Sequence, residues 1–200
     1  TAAASAVAAK FLARAGAGSL AIIGCGAQAL PHAIAMAAVR PITRIAAYDP
    51  DATNVARFCD AVRSALGIEV HRPPTLGSAT LACAIVVTAT SSRAAFLERS
   101  HLSPGTFVAA VGADSEHKQE IAPVLMAAAG VVVDDLDQCC ASGDLHHAIA
   151  AGMMQAADVR ALLGDLVVDP LRGRRSDDEI VIFDSTGVAI EDVAAAAVTY

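Results

Sequence analysis

Residues 20–34 constrain the fold of this chain more than any other stretch. An apolar run, Leu20-Ala21-Ile22-Ile23, leads directly into Gly24-Cys25-Gly26-Ala27-Gln28-Ala29 and then into an alanine-rich helical sequence. This order reads as a buried strand, a glycine turn and a helix start. Gly24, Gly26 and Ala29 fit the G-x-G-x-x-G/A spacing of a dinucleotide-binding turn. Gly24 permits the tight turn, and Gly26, lacking a Cβ, lets a pyrophosphate approach the backbone. Ala29 is small enough for the helix to pack close to the strand. The helix start offers unpaired N–H groups and the positive end of its dipole to phosphate. Cys25 contributes only its backbone to such a turn and reads as a small filler. An ordinary strand-to-helix turn also uses glycine, so the flanking sequence has to decide between the two.

It does so at Asp49. Arg44-Ile45-Ala46-Ala47-Tyr48-Asp49 reads as a second strand with a carboxylate at its C-terminal end. An acidic side chain about 20 residues beyond the glycines accepts hydrogen bonds from the adenosine ribose hydroxyls. The same carboxylate repels a 2′-phosphate, so the expected cofactor is NAD rather than NADP. Asp49-Pro50-Asp51 is also good turn chemistry, and the two roles are compatible.

Alternation of strand and helix continues along the chain. Helices are expected over residues 1–14, from the glycine turn to about residue 39, and over 52–66, 138–149, 157–166 and 189–200, with a short one at 78–82. Strands are expected at 19–23, 44–49, 68–71, 84–90, 106–111, 130–136 and 180–183, the last returning beside the sheet after a polar loop at 169–179. The continuous apolar run at 84–90 suits a parallel strand covered on both faces. The pattern predicts an α/β fold: one doubly wound, mostly parallel sheet in three layers, a Rossmann fold with helices on both faces.

The 200 residues, 55% hydrophobic and 18% charged, suffice for one domain with a real core. A net charge of −7 argues against nucleic acid as a partner. No apolar run has the length of a membrane span, and no secretory signal pattern is present. Five cysteines with no C-x-x-C exclude a disulfide framework or a zinc site and suit reduced thiols, so a cytoplasmic protein is expected. The chain opens in mid-helix without a methionine, as a domain cut from a longer polypeptide would.

Other candidate residues lie at strand ends. Thr88, Thr90, Ser91 and Ser92 stand at the C-terminal end of the fourth strand, where hydroxyls serve as caps or as cofactor contacts. Asp114, with Lys118 four residues on, follows the fifth strand; by position alone it reads as a helix N-cap for residues 115–126. Asp134, Asp135 and Asp137 read as strand-end caps and solvated charge, because no calcium-loop spacing follows. Adjacent His146 and His147 do not share a helix face and read as surface or packing residues. His32 and Gln28 stand at helical spacing with no evident role. No metal site is expected.

Five sets of residues extend the reading: Thr1-Ala2-Ala3-Ala4-Ser5; the turn from Ile22 to Ala29; Val86-Val87-Thr88-Ala89-Thr90; Val111-Gly112-Ala113-Asp114-Ser115 with Lys118 and Glu120; and Asp177-Asp178-Glu179-Ile180-Val181-Ile182-Phe183-Asp184-Ser185-Thr186-Gly187. Together they resemble the ornithine cyclodeaminase/mu-crystallin family over essentially the whole chain. The resemblance implies the NAD-binding domain of a two-part enzyme. The family's other domain, which makes most substrate contacts and the homodimer interface, is not represented in the sequence. The family's helix begins Arg-Thr, the Arg gripping the substrate carboxylate; here the chain starts at the Thr.

By motif position, the resemblance implies that Thr1 contacts the cofactor phosphates, Ala27 and Gln28 the pyrophosphate, and Asp49 the adenosine ribose. Thr90 would line the cofactor, Lys118 touch it, and Ser185 meet its nicotinamide end. Thr186 would border the substrate, and Asp114 would be the catalytic acid/base rather than a cap. The implied activity is conversion of a small amino acid by hydride removal from its α-carbon, passage through an imine and release of ammonia, as in ornithine to proline. Amino-acid dehydrogenase and ketimine reductase are the alternatives within the family, and a non-catalytic nucleotide-dependent binder, as in the mu-crystallin branch, is the alternative of another class. Glu116-His117 stands where family members often have Pro-Gly, which leaves the reaction open.

Overall fold

The computed structural model describes residues 1–199. Helix α1 (Ala2–Leu12) precedes β1 (Ser19–Ile23), and α2 (Ala29–Val39) follows the glycine turn. Then come β2 (Arg44–Tyr48), α3 (Ala52–Leu66), β3 (Val70–His71), α4 (Leu76–Thr80) and β4 (Ile85–Thr88). The helix α3 begins where the Asp51 side chain accepts the Thr53 N–H and ends at Gly67 in the left-handed region, so both its ends are set by sequence. The middle of the chain holds β5 (Arg93–Leu97), β6 (Phe107–Ala110), β7 (Gln119–Ile121) and α5 (Pro123–Ala128). It closes with β8 (Gly130–Val133), α6 (Leu136–Ala141), α7 (Gly143–Ala150), β9 (Ala161–Leu162), α8 (Leu163–Val168), β10 (Val181–Asp184) and α9 (Ala189–Thr199). Tyr200, the end of the expected last helix, lies outside the described residues.

Eight strands form one parallel sheet in the order β3-β2-β1-β4-β6-β10-β8-β9. Successive residues of a strand point to opposite faces, and here both faces are apolar. Leu20, Ile22, Ile45, Val87, Phe107 and Phe183 pack in a core that α1, α2 and α3 cover. Ala21, Ile23, Val86, Val108, Val131 and Ile182 pack in a second core, beneath α4, α5 and α7. The two cores make the three layers of the expected Rossmann fold. Among the described residues no helix is long and apolar enough to cross a membrane.

Four expectations are corrected. The last strand, β10, does not return beside the sheet: it is inserted between β6 and β8, bonded on both sides. The loop before it passes under the sheet, where Arg174 donates to the carbonyls of Leu12, Glu179 and Thr106, and Arg160 pairs with Glu179. The 115–126 region is not one helix. It holds β7, which pairs with β5 in a separate two-stranded sheet. Neither strand carries a buried apolar run: β5 is largely exposed, and β7 has a glutamate at its centre.

The expected helix at 138–149 is two helices, α6 and α7, broken at Gly143. That residue has φ +90°, and a Cβ there would meet Thr186 Cγ2 at 2.8 Å and the Asp184 carboxylate at 3.2 Å. The expected helix at 157–166 instead contains β9, which extends the sheet beside β8.

Phe183 is fully buried on β10 in the core under α1 and its neighbours. Phe183→Ala is expected to cost about 3–5 kcal/mol in the full-length protein, read as a lowered urea midpoint with unchanged m-value.

Candidate functional site

The glycine turn takes its shape from close contacts. Gly24 has φ +90°, and a Cβ there would meet the Ala89 carbonyl oxygen at 2.6 Å and Thr90 Cγ2 at 2.8 Å. A side chain at this position is therefore excluded both by backbone conformation and by the end of β4. A Cβ on Gly26 would meet nothing within 4 Å. It would project into open space above the turn, the space a pyrophosphate needs. Helix α2 begins just beyond without a side-chain cap, leaving donors at its first turn.

Asp49 braces the same turn from β2. Its Oδ2 accepts the Cys25 N–H at 2.8 Å and the Asn54 amide at 3.4 Å; its Oδ1 accepts the Asp51 N–H at 2.8 Å. The turn role and the strand-end role thus coexist in one carboxylate. Burial, followed by the Asp49 charge, pushes the Cys25 thiol up to about 12, so it is an inert filler.

A cavity of about 840 Å³ opens at the C-terminal ends of β1, β2, β4 and β6. Gly24, Gly26, Gln28, Asp49, Thr90, Asp114 and Lys118 all line it. A smaller cavity of about 310 Å³ lies on the other side of Asp49, walled by Val55, Arg72, Pro73 and Pro74. Four of the sequence-selected residues stand off the larger cavity. Ala27 is exposed between Gly26 and Gln28. Thr1 is exposed at the start of α1, its amino group 3.2 Å from Glu191. Ser185 and Thr186, at the end of β10, are buried and turned to protein partners: the Ser185 hydroxyl donates to Asp134 at 2.8 Å, and the Gln138 amide donates to Thr186 at 2.9 Å.

Asp114 caps no helix. It stands in a short loop between β6 and β7, more than half exposed, with Lys118 Nζ 2.6 Å from its Oδ1. His147, on α7, bonds through Nε2 to the Lys118 carbonyl at 2.8 Å and so fixes the far end of that loop. The two adjacent histidines are thus packing residues, and one holds the loop that carries Lys118. His32 is buried, its Nδ1 bonded to the Gln28 carbonyl and its Nε2 to Ser5 Oγ, which ties α1 to the start of α2. Burial lowers its pKa and keeps it neutral.

Beneath the cavity lie three fully buried carboxylates, Glu120, Asp144 and Asp184. The Asp144 Oδ1 accepts the N–H groups of Glu120 and Ile121, both at 2.8 Å, and Asp184 accepts those of Asp144 and Leu145 at the start of α7. Asp144 Oδ2 is buried without a partner. Among the described residues no ion pair involves any of the three, and no group of His, Cys, Asp and Glu is arranged to hold a metal ion. Burial is the main cause that raises all three pKa values, Asp184 to about 7; repulsion from Asp184 and Glu120 adds to it for Asp144, and repulsion from Asp134 and Glu120 for Asp184.

The sequence reading missed this layer. It read Asp134 as a strand-end cap and solvated charge; the residue does stand at the end of β8, but its carboxylate is held by protein donors, the Ser185 hydroxyl, the Gly187 N–H and the Cys139 thiol. No local pattern marks Glu120 as buried, because Lys118 and Gln119 precede it and only Ile121 follows it in β7.

The ornithine cyclodeaminase/mu-crystallin family model matches residues 1–200. The chain belongs to that family. The alanine dehydrogenase of Archaeoglobus fulgidus is 37% identical over 200 residues, which are all of this chain and 61% of that protein. A solved archaeal alanine dehydrogenase dimer with bound NAD has a TM-score of 0.92 at 36% identity, over 98% of this chain and 61% of that one. A lysine cyclodeaminase structure, on recognition of L-lysine, L-ornithine and L-2,4-diaminobutyric acid, has a TM-score of 0.87 at 30% identity, over 98% and 56%. This member of the family therefore spans about three-fifths of the length of those proteins.

The buried acids give a pH dependence of definite sign. A carboxyl whose pKa is higher in the folded than in the unfolded state binds more protons when folded, so stability falls as pH rises through the window between the two values. Asp144→Asn keeps an oxygen for both N–H donors at Oδ1 and removes the charge. The variant is expected to gain stability over wild type at pH 8 and to lose that advantage toward pH 5. The slope changes by up to about 1.4 kcal/mol per pH unit, checked by urea unfolding across that range.

Proposed function

We propose that this chain is the NAD-binding domain of an enzyme that moves hydride between NAD(H) and the α-carbon of a small amino acid or its imine. The observation that carries the reading is the single cavity that gathers Gly24, Gly26, Asp49, Thr90, Asp114 and Lys118. The fit to a dinucleotide follows from the structure of the turn: Gly26 leaves open space above an uncapped helix start, and Asp49 stands between the two cavities. In this reading the Gly24–Gln28 turn would hold the pyrophosphate, the free lone pairs of Asp49 would hold the ribose hydroxyls, and the slot by Val55, Arg72 and Pro73 would hold the adenine. NAD is favoured over NADP because the Asp49 carboxylate would face a 2′-phosphate. Thr1 and Ser185 stand off the cavity walls, so their contacts with the cofactor rest on motif position alone.

The nicotinamide supplies the hydride chemistry. The chain supplies placement and proton transfer. Thr90, at the end of β4, lines the wall across which the cofactor passes toward Asp114. The Asp114 carboxylate takes a proton from the substrate ammonium as the carbon–nitrogen bond becomes an imine, and returns it in the reverse direction. Lys118, in contact with Asp114 Oδ1, turns the carboxylate and leaves its other oxygen for the substrate. Thr186 borders the substrate in this reading through motif position alone. Nothing in this machinery calls for nucleic acid or a membrane. Assembly as a homodimer is supported by the dimeric alanine dehydrogenase.

Net dehydrogenation or imine reduction is supported by the likeness to alanine dehydrogenase. Cyclodeamination, in which the hydride returns to a ring imine after ammonia leaves, is the second reading, supported by the likeness to lysine cyclodeaminase. A carboxylate on a cavity wall beside an ammonium favours an enzyme over a binder without turnover.

Three outcomes test these statements in the full-length protein. With NAD and candidate amino acids, ammonia together with NADH marks a dehydrogenase, and ammonia without net NADH marks a cyclodeaminase. Asp114→Asn is expected to abolish turnover while the Kd for NADH, read by fluorescence, stays within about threefold of wild type; an unchanged rate removes Asp114 from the reaction. Asp49→Asn, which retains an acceptor for the Cys25 N–H, is expected to weaken NAD binding by about fivefold or more and leave NADP unaffected. Equal losses for both cofactors would take Asp49 off the ribose.

A further inference from the structure

Glu120 is the most heavily engaged side chain beneath the cavity, and no role of the preceding reading uses it. It is fully buried at the centre of β7. Its Oε1 accepts the Thr90 N–H and the Thr90 hydroxyl, both at 2.7 Å; its Oε2 accepts the Thr88 hydroxyl at 2.6 Å and the Gly112 N–H at 2.9 Å. Thr90 follows β4 and Gly112 follows β6, and these two strands are neighbours in the sheet. One carboxylate therefore joins two adjacent strand ends: Oε1 holds the end of β4, and Oε2 is shared between Thr88 on β4 and Gly112 after β6.

The surroundings leave no room for another arrangement. A Cβ on Gly112 would stand 2.3 Å from Glu120 Oε1 and 2.5 Å from the Thr90 carbonyl oxygen, so the backbone of β6 approaches the carboxylate as closely as only glycine allows. From below, Asp144 accepts the N–H groups of Glu120 and Ile121 and fixes the height of β7. Gly112 in turn begins the loop that carries Asp114, and Lys118, two residues before Glu120, ends it. One end of that loop is thus anchored on the Glu120 side chain, and the other, held by His147, leads into Glu120's own strand.

We infer that Glu120 is a positioning residue, whose carboxylate sets the spacing of the Thr90 and Gly112 strand ends and thereby the placement of Asp114 and Lys118 over the cofactor. The inference rests on the proposed function for what is being positioned. The chemistry demands a carboxylate at this point. Each oxygen receives one backbone N–H, and a backbone N–H cannot reverse its role as a hydroxyl can. A glutamine has one accepting atom, so in either amide orientation its NH₂ faces the N–H of Thr90 or of Gly112. One strand end is released whichever way it turns.

The test uses the full-length protein saturated with NAD, which stabilises the folded state by mass action, at a temperature well below its unfolding midpoint. Glu120→Gln is expected to lower kcat by about tenfold or more, since small displacements of reacting groups carry large rate penalties. Read separately without added NAD, its Kd for NADH is expected to rise by about fivefold as the Thr90 strand end loosens beside Gly24. Thr88→Val removes a hydrogen bond from the same carboxylate without freeing a backbone N–H. It is expected to lower the melting temperature and leave kcat and Kd within about twofold of wild type.

Glu120→Gln with wild-type kcat and Kd, whatever its melting temperature, overturns the inference, because a merely structural residue changes stability alone. If Glu120→Gln does not fold, Glu120→Asp is measured in its place. Its carboxylate is one methylene too short to reach both strand ends, so the same fall in kcat is expected and wild-type kinetics again overturn the inference. Failure of the wild-type protein to bind NAD(H) defeats the proposed function instead, and is recognised before any variant is made.

Discussion

The parallel pairing of β1 with β4 is the constraint on which the rest of the structure depends. From β1 the chain winds outward through β2 to β3, then crosses back to lay β4 on the other side of β1. The helices on the two sides of this reversal cover opposite faces of the sheet. They diverge above it, and a crevice opens at the carboxyl ends of the strands, where open α/β sheets bind their ligands. The polar groups that the site depends on sit beyond those ends. The glycine turn follows β1, Asp49 follows β2, Thr90 follows β4 and Asp114 follows β6. Their convergence comes from topology, and the side chains only exploit it.

The layer under the crevice is costly. Three carboxylates are buried without a cation among them, and burial works against the charge of each. Backbone N–H groups and hydroxyls compensate in part, seven of the eight donors being counted on Glu120, Asp144 and Asp184 at 2.9 Å or closer. An apolar core of equal volume would be more stable. What it would not do is hold strand ends that have already left the sheet ladder. At those positions the backbone has lost its neighbour's carbonyls and amides, and a buried acceptor is the direct way to tie it down.

Those two layers differ in how far the sequence reveals them. The strands β1, β2 and β4 were legible because their apolar runs are continuous, and the turn because glycine spacing encodes a backbone conformation. Asp49 was legible as a residue type at a distance. The insertion of β10 between β6 and β8 was not, since nothing in Ile180-Val181-Ile182-Phe183 distinguishes an interior position from an edge. Nor were β5 and β7, whose pairing depends on Glu120 being satisfied from four directions by residues eight to 32 positions away. The break at Gly143 had the same character: its cause is the Asp184 carboxylate, which is remote in sequence. Local pattern carries the ladder, and long-range polar contacts carry the site's floor.

That division bears on catalysis. Asp114 is more than half exposed and Lys118 about a third, so neither is held by packing. Exposed side chains on a loop sample many rotamers, whereas hydride and proton transfer require reacting atoms within a few tenths of an ångström of their productive geometry. The backbone of this loop, by contrast, is fixed at one end by Glu120 through Gly112 and at the other by His147 through Lys118. Their mutual ion pair then closes the short loop on itself. With the backbone fixed and the two charges joined, the remaining freedom of Asp114 is rotation about its own side chain, which a bound substrate ammonium restricts at little further cost in entropy.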